Sequence, residues 1–137
     1  IETVREGIES VWSCNSLIVS VSYGAYLLTQ TLLDMPPFPG KVLMISPVLG
    51  AGASQDGFAG SFPPRLRKLE SILAENAFPK PDYLSVLIGQ DDFACLPAVE
   101  RFADAVALDE LNLRKDQGHM LEHELIQKTV REMIGLN

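Results

Sequence analysis

Apolar residues along this chain alternate between helical spacing and short continuous runs. Over about residues 1–13, apolar side chains recur every three or four positions with charged residues between them, which predicts an amphipathic helix. The β-branched run Leu17–Val21 follows and predicts a strand buried on both faces. Helical spacing then resumes and ends before Pro36 and Pro37.

This strand–helix unit recurs to the end of the chain. Further strands are predicted at residues 41–46, 83–89 and 111–113, and further helices at about residues 66–73, 97–106 and 121–134. Residues 47–63 are rich in Gly, Pro, Ser and Ala and predict a loop. The alternation predicts one α/β domain over residues 1–137, with a parallel sheet of about four strands and helices on both faces.

The amino-acid composition argues against two classes of binding partner. The 18 acidic and 11 basic residues give a net charge of −7, which argues against nucleic acid and anionic membrane surfaces as partners. The first residues do not form a signal peptide, and the apolar runs are too short to span a bilayer. Cys14 and Cys95 lack CxxC spacing, which favours two reduced thiols and a cytoplasmic protein.

The chemistry begins at Ser22, within Ser20-Val21-Ser22-Tyr23-Gly24 between a predicted strand and a predicted helix. This segment matches the nucleophile elbow G-x-S-x-G, with Ser20 in place of the first glycine. Small residues two positions before and after the serine would let strand and helix approach closely. A strand end followed by an ordinary turn is the simpler interpretation, but the flanking elements are those that the elbow requires.

An acid and a histidine follow in the order that a Ser–Asp–His site needs. Asp92 lies directly after the third predicted strand, with Asp91 as the alternative, and can orient an imidazole. His119 lies on a loop after the fourth predicted strand and can act as a general base toward Ser22. His123, the other histidine, is expected inside the last helix, where it cannot easily face the sheet edge.

Two other site classes fit less well. His119 and His123 form an H-x-x-x-H pair beside Glu122 and Glu124, but no third ligand has an obvious spacing. A phosphate cradle at the Ser20–Gly24 turn would need a G-x-G-x-x-G pattern or a P-loop lysine, and the sequence has neither. We therefore expect no metal and no cofactor.

Four segments resemble the α/β-hydrolase superfamily: LIVSVSYGAYLL, KVLMISPVLG, LSVLIGQDDFACLP and KDQGHMLEHELI. They look most like the small serine hydrolases with little or no cap, such as the retinoblastoma-binding protein 9 and YdeN-like group. The resemblance implies Ser22 as nucleophile, Asp92 as acid, His119 as base and the Tyr23 backbone N–H as an oxyanion donor. It also implies carboxylic esters or thioesters as small-molecule substrates.

The resemblance also implies strands before the elbow strand, which this sequence does not contain. We therefore expect a C-terminal portion of a larger hydrolase, or a chain that pairs with a partner segment or a second copy along the Leu17–Val21 edge. A non-catalytic interaction module is the alternative function, and it predicts that Ser22→Ala changes stability alone. A Ser22 hydroxyl that points into the interior, away from His119, would favour this alternative. Phe58, Phe62 and Phe78 could line an acyl pocket, although local packing is the preferred interpretation.

Overall fold

The computed structural model describes residues 1–49 and 66–135. Its elements follow in the order α1 (Glu2–Ser10), β1 (Leu17–Val21), α2 (Tyr23–Leu32), β2 (Lys41–Ile45), α3 (Leu66–Ala74), β3 (Tyr83–Gly89), α4 (Leu96–Val106), β4 (Glu110–Arg114) and α5 (His123–Met133). The four strands form one parallel sheet in the order β1-β2-β3-β4. The predicted α/β class and strand number are confirmed.

Alternating side chains of the central strands feed a core on each face of the sheet. Val42 and Met44 of β2 pack into the larger core, which contains residues from α1, α2 and α4. Leu43 and Ile45 of the same strand point to the opposite face, where they meet the apolar side of α5. The prediction of helices on both faces is therefore confirmed.

The first strand differs from its prediction. We expected Leu17–Val21 to be buried on both faces, but Val19 and Val21 are 40% and 51% exposed. The reason is that β1 is an edge strand, and α5 packs on β2 and β3 and reaches only Leu17 of β1. On the other face, Ile18 packs against the larger core and Ser20 is buried.

Helix ends also differ by a few residues from the predicted ones. The first helix ends at Ser10 rather than near residue 13, and the last begins at His123 rather than residue 121. At the latter end the Gln117 side chain contacts both the backbone N–H and the carboxylate of Glu122, which holds the chain extended there. Apolar periodicity fixes the middle of a helix better than its ends.

The aromatic residues considered for an acyl pocket separate into two groups. Phe78 packs edge-on against the buried Phe102, with ring centroids 5.2 Å apart, so it belongs to the larger core as the local-packing interpretation expects. Phe58 and Phe62 lie outside the described residues. Within the described part of the chain, no helix is both long and apolar enough to cross a bilayer.

Candidate active site

The residues proposed for chemistry follow the carboxyl ends of three strands. Ser22 comes directly after β1, Asp92 comes three residues after the end of β3, and His119 lies between β4 and α5. In a parallel sheet these carboxyl ends lie along one edge, which is where open α/β folds place their ligand sites. The topology therefore brings together three residues that are far apart in sequence.

Ser22 has a backbone conformation that few non-glycine residues adopt. Its φ is 54° and its ψ is −120°, at the junction between β1 and α2. The turn is held by the Ser22 N–H, which donates to the Ile45 carbonyl at 2.9 Å, and by the Ser22 carbonyl, which accepts from the Ala25 N–H at 3.1 Å. This geometry places the hydroxyl at the carboxyl end of the parallel strands.

Gly24 was expected to be small so that β1 and α2 could approach each other closely, and the structure does not bear this out. A Cβ built on Gly24 would have no described atom within 4 Å, so close packing of strand and helix does not require glycine there. Gly24 instead lines an apolar groove of about 370 Å³ beside β1, together with Ser20 and residues of α1. Because β1 is the edge strand, no described segment covers this position.

His119 joins the other two residues through both of its ring nitrogens. Its Nε2 lies 2.8 Å from the Ser22 hydroxyl and its Nδ1 lies 2.8 Å from Oδ2 of Asp92. Because an ionised carboxylate can only accept, the Nδ1–H donates to Asp92, and Nε2 is left to accept from the Ser22 O–H. This tautomer is the one in which the imidazole can take up the serine proton.

Asp92 and Asp91 have different surroundings. Asp92 is only 4% exposed, whereas Asp91 is exposed and its backbone N–H donates to the Gln117 carbonyl. Of the two acids, it is Asp92 whose carboxylate contacts His119. The choice of Asp92 over Asp91 therefore agrees with the geometry.

Two further residues, neither of them predicted from the sequence, contact the loop that carries His119. The Ser46 hydroxyl donates to the His119 carbonyl at 2.8 Å. A Cβ on Gly89 would lie 2.1 Å from the Gln117 carbonyl oxygen, so only glycine lets the loop pack on the end of β3. Ser46 directly follows β2, just as Ser22 directly follows β1. Its place at the carboxyl end of a strand could have marked it in the sequence as a residue near the site.

Cys95 also lies beside His119, although no sequence motif marks this cysteine. Its sulfur lies 3.8 Å from Nδ1 of His119, and the residue is 3% exposed. Burial, followed by the nearby Asp92 carboxylate, raises the pKa of the Cys95 thiol to about 12. The thiol is therefore protonated at neutral pH and is a poor nucleophile in this site.

Tyr23 and His123 are the first residues of two helices. Tyr23 is the first residue of α2, so its backbone N–H belongs to the positive end of the helix dipole beside Ser22. His123 is exposed at the start of α5, and its Nε2 contacts the Gln127 side chain at 3.0 Å. The two histidines thus have different partners, which argues against an H-x-x-x-H metal pair.

Comparison with known proteins gives matches at the level of structure. No protein-family model matches the chain, and no curated protein matches it. Esterase PE8 is similar with a TM-score of 0.62 and 16% identity, over 96% of this chain and 59% of that one. EstE5-PMSF is similar with a TM-score of 0.56 and 19% identity, over 93% of this chain and 56% of that one.

A capsule O-acetyltransferase of Neisseria meningitidis serogroup A is also similar, with a TM-score of 0.59 and 13% identity, over 97% of this chain and 62% of that one. This chain therefore spans about 60% of the length of the solved structures that it matches. At these identities the likeness concerns the fold. It shows that the described chain has an α/β-hydrolase-like fold, similar to that of esterases.

Proposed function

We propose that this chain carries the catalytic residues of a serine hydrolase that cleaves carboxylic esters or thioesters through an acyl-enzyme on Ser22. One observation carries the proposal, namely the continuous hydrogen-bond chain from the Ser22 hydroxyl through His119 to the buried Asp92. A nucleophile, a base in contact with it and an acid that orients the base are the geometric requirements for such a site.

The residues of the site divide the steps of the proposed reaction among them. The Ser22 oxygen attacks the substrate carbonyl while Nε2 of His119 takes the hydroxyl proton, and the Asp92 carboxylate stabilises the resulting imidazolium. The Tyr23 backbone N–H, at the N-terminus of α2, donates to the oxyanion that forms on the carbonyl oxygen. His119 then protonates the leaving group, and water releases the acid from Ser22 by the reverse sequence.

The resemblance to small hydrolases with little or no cap bears on the size of the substrates. The small hydrolases with little or no cap are the group that the segments look most like, and residues 47–63 occupy the cap position along the sequence. A short insertion there favours small or accessible acyl substrates. We assign one oxyanion donor, the Tyr23 backbone N–H, and a single donor of this kind is worth about 100- to 1000-fold in turnover in serine hydrolases.

A Ser22 hydroxyl that points away from His119 would favour the non-catalytic alternative. The 2.8 Å contact between Ser22 Oγ and His119 Nε2 supports the catalytic proposal instead. The likeness to an O-acetyltransferase supports a related outcome, in which a hydroxyl compound rather than water accepts the acyl group. Product analysis with and without added glycerol separates transfer from hydrolysis.

The test is a panel of p-nitrophenyl esters and acyl thioesters, assayed with the wild type, Ser22→Ala and Ser20→Ala. Ser20 is the matched control because it lies two residues away, is buried, and has no hydrogen-bond partner for its hydroxyl among the described residues. We expect Ser22→Ala to abolish cleavage and Ser20→Ala to retain it. Cleavage that persists in Ser22→Ala would contradict the proposal.

A further inference from the structure

The sulfur of Cys95 lies beside two residues of the proposed active site, and ester cleavage does not need it. Asp92, Cys95 and His119 each offer one possible ligand atom, a carboxylate oxygen, the sulfur and a ring nitrogen, and these atoms all lie within 4.8 Å of one another. Imidazole, carboxylate and thiolate are the ligands that Zn²⁺ takes in proteins, and the thiolate favours soft cations such as Cd²⁺. Nothing in the hydrolase mechanism requires a sulfur at this place.

The spacing is close to that of a tetrahedral cation site. With a tetrahedral angle, bonds of about 2.0 Å to nitrogen and oxygen and about 2.3 Å to sulfur place the nitrogen and sulfur about 3.5 Å apart, and the nitrogen and oxygen about 3.3 Å apart. The corresponding separations here are 3.8 Å from Nδ1 to the Cys95 sulfur and 2.8 Å from Nδ1 to Asp92. Opening the His119–Asp92 pair by about half an ångström would bring these two separations close to the tetrahedral values.

We propose that Asp92, Cys95 and His119 bind a thiophilic divalent cation, Zn²⁺ or Cd²⁺, and that this binding switches off the proposed hydrolase. The proposal of inhibition rests on the proposed function, whereas the proposal of cation binding does not. The cation replaces the proton on Nδ1 of His119, the imidazole proton moves to Nε2, and the Cys95 thiol releases its proton to solvent. The coordinated imidazole then carries a proton where it must accept one from Ser22.

Burial and exposure of the three residues suit reversible inhibition. Asp92 and Cys95 are 4% and 3% exposed, so a cation on them is shielded from water. The His119 side chain is 38% exposed and lies on the loop before α5, so the cation can enter from its side. Without the cation the thiol stays protonated and the imidazole keeps its contacts with Ser22 and Asp92.

The binding test titrates CdCl₂ into the whole chain and follows the ultraviolet charge-transfer band of a Cd²⁺–thiolate bond. Cys95→Ser and Cys95→Ala remove the ligand, and Cys14→Ser is the matched control because Cys14 is the other, exposed thiol. His123→Ala controls for the second histidine. We expect one Cd²⁺ per chain in the wild type and both controls. Loss of Cys95 should weaken binding by more than the roughly 10- to 100-fold that an outer-shell partner contributes.

Two further measurements distinguish the loss of a ligand from the loss of the fold in the Cys95 variants. Circular dichroism reports whether each Cys95 variant folds, and X-ray absorption of the Cd²⁺-loaded wild type shows directly whether one sulfur is bound. A band that survives in Cys95→Ser but disappears in Cys14→Ser overturns the proposal, as does an absorption spectrum with oxygen ligands alone. MgCl₂, which prefers oxygen ligands, should give no inhibition.

The esterase assay separates this proposal from the proposed function. Cd²⁺ binding through Cys95 in a chain that cleaves no ester would refute the hydrolase and leave the cation site standing. Ester cleavage with no Cd²⁺ binding would refute the cation site alone. Where both hold, Zn²⁺ should inhibit the wild type and Cys14→Ser, and it should inhibit Cys95→Ser much less.

Discussion

At the scale of single residues, the site depends on backbone positions as much as on its reactive groups. Ser22 adopts a φ of 54° because β1 must turn sharply into α2, and the sequence shows this through a small residue between a strand and a helix. The close approach of Gln117 to Gly89 could not be predicted, because it depends on how the loop after β4 packs back on β3. A sequence pattern reports local geometry better than contacts between distant segments.

The two glycines near the site give a residue-scale prediction. Gly89→Ala should displace the loop that carries His119, because its Cβ would lie 2.1 Å from a backbone oxygen, and esterase activity should fall at least about tenfold while the melting temperature drops. Gly24→Ala is the matched control, because its Cβ meets no described atom and alanine favours a helix by about 1 kcal/mol. Equal losses of activity in both variants would show that the loop contact is not what matters.

At the scale of elements, the start of β4 is tied to β3 by one carboxylate. Oδ2 of Asp109 accepts from the Lys80 ammonium at 2.5 Å and from the Leu84 N–H at 2.8 Å. The hydrogen bond from Lys80, followed by that from Leu84, lowers the pKa of Asp109. A carboxyl with a lowered pKa stabilises the fold above its ordinary pKa, and this contribution is lost as the pH falls through the folded-state value.

This carboxylate gives an element-scale prediction. Asp109→Ala should lower the free energy of unfolding at neutral pH by about 1–2 kcal/mol, because Leu84 loses its acceptor and Lys80 its partner. The difference from the wild type should shrink as the pH falls below about 4, because Asp109 is then protonated first in the unfolded chain and, at still lower pH, in the folded protein. Urea denaturation at several pH values measures both effects, with the exposed Asp104→Ala as control. A difference that is constant down to pH 2 would contradict this origin.

Most elements could be predicted from apolar spacing, and the failures have physical causes. The central strands β2 and β3 are buried on both faces, so their continuous apolar runs are unambiguous. The run at β1 is similar in sequence, yet two of its residues are exposed, because burial depends on the position of a strand in the sheet. The thiol of Cys95 was missed because no motif marks it, and only the fold brings it to His119.

At the scale of the whole molecule, the edge strand β1 has backbone groups that no described strand pairs with. The Lys41 N–H donates to the Ser16 carbonyl and the Ser22 N–H donates to the Ile45 carbonyl, so alternate residues of β1 face β2. Leu17, Val19 and Val21 therefore direct their backbone groups to the other side, where no described strand pairs with them. The apolar groove between β1 and α1 runs along the same edge.

This edge predicts association, with a further strand or with a second copy of the chain. For the isolated chain we expect concentration-dependent self-association in sedimentation velocity, which Val19→Lys should reduce by placing a charge on the edge strand. Leu113→Lys is the matched control, because Leu113 is similarly exposed, at 37% against 40%, on the opposite edge strand β4. A chain that stays monomeric at all concentrations, or equal effects of the two variants, would contradict the prediction.

The central claim is that Ser22 is an activated nucleophile, and covalent labelling tests it most directly. The purified chain would be treated with a fluorescent fluorophosphonate, and the labelled peptide would be mapped by mass spectrometry. We predict one label on Ser22, absent in Ser22→Ala, at least about a thousandfold slower in His119→Ala, and unchanged in His123→Ala. A folded chain that is not labelled, or a label on another serine, would contradict the account.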